Sequence, residues 1–95
     1  MLLTNETLNA NKVIRYKKDD CEIYVVEKDG KSFLIGVYSG EHSTYAKVTI
    51  AFAGNWNCEN ILYAPFGYFV FSTDERELVN KIKRKIDELS RNVLG

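Results

Sequence analysis

The sequence is poor in the residues that most often carry chemistry. Its 95 residues include one histidine, one proline, one tryptophan and two cysteines. A lone histidine and two widely separated cysteines do not build a zinc site, which needs closely spaced pairs of ligands. The acidic pairs Asp19-Asp20 and Asp74-Glu75 read as turn and helix-cap residues rather than cation ligands. The stretch GVYSGEHST lacks the Gly-Lys-Ser/Thr spacing of a phosphate loop, and no glycine fingerprint leads from a strand into a helix. A thiol enzyme would need Cys58 beside His42. These two flank the strand pattern at 44–52, whose ends lie roughly 25 Å apart at about 3.3 Å per residue. The expectation is therefore a protein that is not an enzyme, with no catalytic residue, no metal and no cofactor.

Net charge is also missing: 13 basic residues balance 13 acidic ones. A dedicated DNA binder needs a strongly basic footprint, so that class is disfavoured. No apolar run approaches the ~20 residues that cross a bilayer. The opening MLLTNETLNANK shows neither a basic leader nor an apolar core of signal-peptide length, so a cytoplasmic location is expected. Lys, Asn, Ile and Tyr are frequent and Arg and Pro scarce. The frequent residues have A/T-rich codons, which suggests an A/T-rich bacterial or phage genome. Two cysteines are too few for a disulfide scaffold. Cys21, in an apolar strand pattern, reads as a buried structural thiol, and a bridge to Cys58 is the less favoured arrangement.

What is present is a run of strand patterns followed by one helix pattern. CEIYVVEKDGKSFLIGVYSG (21–40) places two β-rich runs around Asp29-Gly30, a hairpin signal. A two-residue turn would set Lys28 opposite Lys31, where like charges repel. A three-residue loop, Lys28-Asp29-Gly30, instead pairs Glu27 with Lys31. It aligns Val25, Ile23 and Cys21 with Phe33, Ile35 and Val37 on one apolar face, and this register is the one expected. KVIRYKK (12–18), TYAKVTIAF (44–52) and FGYFVFS (66–72) complete the strand set, the last reading as buried on both faces, with a short extended piece before Pro65. The C-terminal pattern is a helix. Ser72, Thr73 and Asp74 offer N-caps, and Leu78, Ile82, Ile86, Leu89 and Val93 form a stripe widened by Val79, with Gly95 at its end. Together these predict one α+β domain over 1–95: a four- to five-stranded, mostly antiparallel sheet with one long C-terminal helix packed on one face. That covered face should hold Cys21, Ile23, Val25, Phe33, Ile35, Val37, Ala46, Val48, Ile50 and Phe52.

The opposite face is the expected working surface. Alternation places Val13, Arg15, Lys17, Tyr24, Val26, Leu34, Tyr38, Tyr45, Lys47 and Thr49 there. Interfaces favour Tyr, Trp and Arg, and an exposed apolar patch marks a contact site. The residues expected to bind a partner are Arg15, Tyr24, Leu34, Tyr38, Tyr45, Lys47 and Trp56, the last in the loop GNWNCEN (54–60). The alternative is that the N-terminal residues or the 54–65 segment fold over this face and make a second small core. The function expected is a small protein-interaction module, of the kind a phage or mobile element uses to inhibit a host protein, with a protein partner or a second copy in a homodimer. A second possibility is single-stranded nucleic-acid binding, with the aromatics stacking bases and the basic helix segment KIKRKIDELSR (81–91) meeting phosphates.

Overall fold

The computed structural model describes residues 2–92. Val93 and Gly95, which complete the expected helix stripe and its end, lie outside the described residues. Eight elements follow one another: α1 (Asn5–Leu8), β1 (Lys12–Lys17), β2 (Glu22–Lys28), β3 (Lys31–Ser39), β4 (Thr44–Ile50), α2 (Cys58–Leu62), β5 (Tyr68–Ser72) and α3 (Glu75–Asn92). The strands form one sheet in the order β1-β2-β3-β4-β5, every neighbouring pair antiparallel. The expected α+β fold with a long C-terminal helix on one sheet face is the fold observed.

Local chemistry accounts for the elements. The Asp74 carboxylate accepts the Arg76 N–H at 3.0 Å, which starts α3 where the sequence offered caps. Leu78, Ile82, Ile86 and Leu89 are buried along one stripe. Burying each is worth about 1.5–3 kcal/mol. At α1, Thr4 and Thr7 cap each other reciprocally and Asn9 ends the turn in the left-handed region. Its buried Leu8, and Leu3 just before its cap, join the α3-side core. The N-terminal residues therefore extend the helix layer rather than closing the opposite face.

The β2–β3 hairpin departs from the expected register. Asp29 and Gly30 both have positive φ, 54° and 79°, the signature of a two-residue primed turn. Lys28 pairs with Lys31, Val26 with Phe33, Tyr24 with Ile35 and Glu22 with Val37. The like-charge objection fails because neither ammonium is left facing the other. Lys28 Nζ donates to Asp87 Oδ1 at 2.5 Å and Lys31 Nζ to the Ser90 carbonyl at 2.7 Å. Both cations thus reach the C-terminal part of α3, where positive charge is favoured. The one-residue difference exchanges the faces of β2. Tyr24 and Val26 join Phe33, Ile35, Val37, Ala46 and Val48 under α3, while Cys21, Ile23 and Val25 lie on the other side. Phe52 follows them there, because β4 ends at Ile50 and the strand alternation with it.

Candidate functional site

The sheet face opposite α3 is not open. The 54–65 segment folds across it, and residues 58–62, inside a stretch read as loop and extended chain, form the helix α2. Asn57 caps this helix, its side chain accepting the Asn60 N–H at 2.7 Å. Asn60 Nδ2 donates to the Asn55 carbonyl at 2.9 Å. Trp56 Nε1 donates to the Phe52 carbonyl at 2.6 Å, which folds the indole back on its own loop and leaves it 41% exposed. The GNWNCEN loop is thus a braced turn and a helix cap.

Three anchors hold α2 down. A disulfide joins Cys21 to Cys58, contrary to the expected free thiols. The Tyr38 hydroxyl donates to the Cys58 carbonyl at 2.7 Å. Lys47, only 3% exposed, donates to the carbonyls of Leu62 and Ala64 at 3.1 and 2.8 Å. Its ammonium also sits 4.5 Å from the Phe69 ring centroid. Two carbonyls and a ring face replace its water shell, and burial still lowers its pKa. Burial likewise raises the Tyr38 hydroxyl to about 12, helped by neighbouring Tyr45. Beneath α2, Ile61 packs with Ile23, Leu34 and Tyr38 as a second small core.

The seven residues expected to meet a partner therefore have different situations. Leu34, Tyr38 and Lys47 are buried beneath α2, and Tyr24 is buried under the α3 layer. Arg15 is exposed on β1, its guanidinium paired with Glu22 across the strands. Tyr45 is half-buried and stacked between Tyr38 and Phe71, with ring centroids 5.3 and 5.7 Å away. Trp56 borders the covered face. The structure does not bring the seven together as one surface.

It does gather a different aromatic group. β5 is the last strand of the sheet, so it is an edge rather than doubly buried. Phe71 is 57% exposed and Phe69 44%. Phe69 and Phe71 stack at 6.3 Å, continuing the row from Tyr45. Phe66 packs edge-on against Phe52 at 5.9 Å, and the exposed Tyr63 lies between the two carbonyls that Lys47 holds. On the α3 side, Tyr68 lies under the Lys85 ammonium at 4.7 Å. Alternation could not reveal this patch, because an edge strand and a central strand can carry the same pattern. A signal was available in the order: the last strand of a meander has only one neighbour.

Candidates for chemistry sit apart from this patch. Cys58 is disulfide-bonded, and His42 is a fully solvated loop residue beside Glu41. Among the described residues no group of three His, Cys, Asp or Glu is placed to hold a metal, and no helix is long and apolar enough to cross a membrane. A hollow of about 770 Å³ opens at the end of the sheet away from the β2–β3 turn. Arg15, Lys17, Asp19, Asp20 and Glu75 line it, a mixture of charges that selects no single ligand. Comparison with protein-family models, with curated proteins and with solved structures finds no match to this chain.

Proposed function

We propose that this chain is a small, non-catalytic protein-interaction module whose working surface is the aromatic patch on β5: Phe69 and Phe71, with Tyr45 beside them. The observation that carries this reading is the exposed, stacked pair Phe69 and Phe71 on an edge strand, continued by half-buried Tyr45. Large exposed apolar surface marks contact sites, and aromatics dominate interface energetics. The partner is another protein or a second copy of the chain. An inhibitor of a host protein encoded by a phage or mobile element is the finer form of the proposal, and it rests on small size and residue usage. For the cytoplasm expected from the sequence, the disulfide has a consequence. Such a bond persists in oxidising surroundings; in a reducing cytosol α2 would rest on Ile61, Tyr38 and Lys47 alone.

The test compares the wild type with a Phe69→Ser/Phe71→Ser variant in parallel capture and light-scattering experiments. Phe71 is 57% and Phe69 44% exposed. Because the Phe69 ring faces the buried Lys47 ammonium, circular dichroism checks that the variant folds, and Phe71→Ser alone, which leaves that contact intact, is measured beside it. A specific partner or an oligomer present with the wild type and lost with the variant supports the proposal. Retention of both by a folded variant removes the patch from the mechanism. The groove between β5 and α3 favours a second reading. It places Phe69 and Phe71 beside Lys81, Arg84 and Lys85, and aromatics with cations can bind single-stranded nucleic acid. That reading requires affinity for oligonucleotides that falls steeply with salt.

A further inference from the structure

We infer that the outer edge of β5 accepts an added strand from a partner protein, an extended segment in which carboxylates alternate with apolar residues, lying in the groove between β5 and α3. This rests on the protein-interaction reading and gives its partner a chemistry.

The two edges of the sheet differ. β1 carries Lys12, Arg15 and Lys17, the kind of charge that protects an edge from pairing with other chains. β5 reads YFVFS and carries no charge. No strand pairs with its outer side among the described residues. An uncharged edge strand with no neighbouring strand on its outer side is a template for strand addition, although the Phe71 carbonyl already accepts from Lys81.

The groove runs along that edge. Its volume is about 390 Å³, bounded by Phe69, Val70 and Phe71 on one side and by residues of α3 on the other. Val70 packs under α3 whereas Phe69 and Phe71 pair with Lys47 and Tyr45 on the far face. A single hollow touches all three only along the strand margin. Cations of α3 follow the margin. Lys81 Nζ donates to the Phe71 carbonyl at 2.7 Å and pairs with Glu77 at 3.0 Å. Lys85 pairs with Glu88 at 3.1 Å. Arg84, between them, is exposed and in no ion pair among the described residues. A free guanidinium fork is suited to a carboxylate.

The charge also chooses between occupants. Symmetric pairing of two β5 edges would bring two Arg84 guanidiniums to one seam, Lys81 and Lys85 being already paired with Glu77 and Glu88, and like charges that close repel. An acidic strand relieves that charge instead. Side chains of an added strand alternate between faces. Those on the α3 side would meet Arg84, and those on the far side would meet Phe69 and Phe71. Acidic and apolar residues in alternation are the pattern that fits both.

The probe is a short fluorescent peptide alternating glutamate and valine. Its controls are the lysine–valine counterpart, the same acidic peptide N-methylated at alternate amides, and a mixed-sequence single-stranded oligonucleotide. Anisotropy titrations are read together with amide chemical shifts. The expected result is binding of the acidic peptide alone, shifts centred on residues 68–72, loss of binding on N-methylation, and a loss of about tenfold or more with Arg84→Glu. Equal binding of acidic and basic peptides, or no effect of N-methylation, overturns the inference. So does tighter binding of the oligonucleotide, or a dimer in solution whose β5 amides are protected. If no peptide binds while Phe69→Ser/Phe71→Ser still abolishes partner capture, the strand-addition inference falls and the interaction module stands.

Discussion

The two faces of the sheet are closed by different means. Under α3, closure comes from side chains on regular elements: Leu78, Ile82 and Ile86 over Phe33, Ile35 and Val48. Over the opposite face lies a helix of five residues, Cys58–Leu62, too short to form a stable layer on its own. It is held by one disulfide, one tyrosine hydroxyl and one buried lysine. A long helix covers a sheet by repeating a pattern. A short one needs specific tethers, and each tether is a place where the cover can be released without dismantling the rest.

The largest effect should come from the repeating layer. Phe33→Ala removes a fully buried ring and should cost about 3–5 kcal/mol, measured by urea denaturation, with the whole domain lost cooperatively. Replacing both cysteines by serine comes next. The bond closes a loop of 37 positions, for which chain entropy predicts about 4 kcal/mol. If the faces differ as described, hydrogen exchange in this variant rises first at 54–65 while α3 amides stay protected. A simultaneous rise across both faces would show that they are one cooperative unit. Gly36→Ala is expected to cost about 1–3 kcal/mol by crowding. An added Cβ would lie 2.5 Å from the Tyr38 hydroxyl, so the ring must shift off its bond to Cys58.

Tyr38→Phe should have the smallest effect, about 1 kcal/mol at neutral pH for one hydrogen bond. Its pH dependence is more informative. Burial raises the Tyr38 pKa from 10.0 to about 12. A group raised on folding contributes stability that is complete below its unfolded pKa and is lost as pH climbs through the folded one. The wild type should therefore lose this contribution between pH 10 and about 12, and Tyr38→Phe should flatten that part of the stability curve. An unchanged alkaline slope would mean that the Tyr38 hydroxyl stays solvated and that α2 does not seal it.

Much of the fold is written in local pattern. The α3 stripe, its cap within Ser72–Asp74, the position of the β2–β3 hairpin and the shared face of Phe33, Ile35, Val37, Ala46 and Val48 all follow from periodicity and turn chemistry. The β2 register does not, because the repulsion between Lys28 and Lys31 can be judged only once Asp87 and the Ser90 carbonyl are known to lie above them. The disulfide has no local signature either, since nothing near Cys21 or Cys58 names the other. The tyrosines on the second face looked like an interface because a five-residue helix carries too few positions to announce itself as their cover. Gly36 held the available clue: a glycine in mid-strand often marks a close approach, here that of the Tyr38 ring.

The Cys21–Cys58 bond also changes how the chain is connected. It turns residues 21–58 into a covalent ring that contains β2, β3 and β4, with β1 entering from outside and β5 and α3 leaving as a tail. A protease that cuts the solvated Glu41–His42 corner opens the ring yet separates nothing until a reductant is added. A cut at 73–74 detaches α3 at once from any covalent link to the sheet. The same single cleavage is thus invisible or fatal to chain integrity according to whether it falls inside or outside the 21–58 ring. Electrophoresis with and without reductant reads the difference directly.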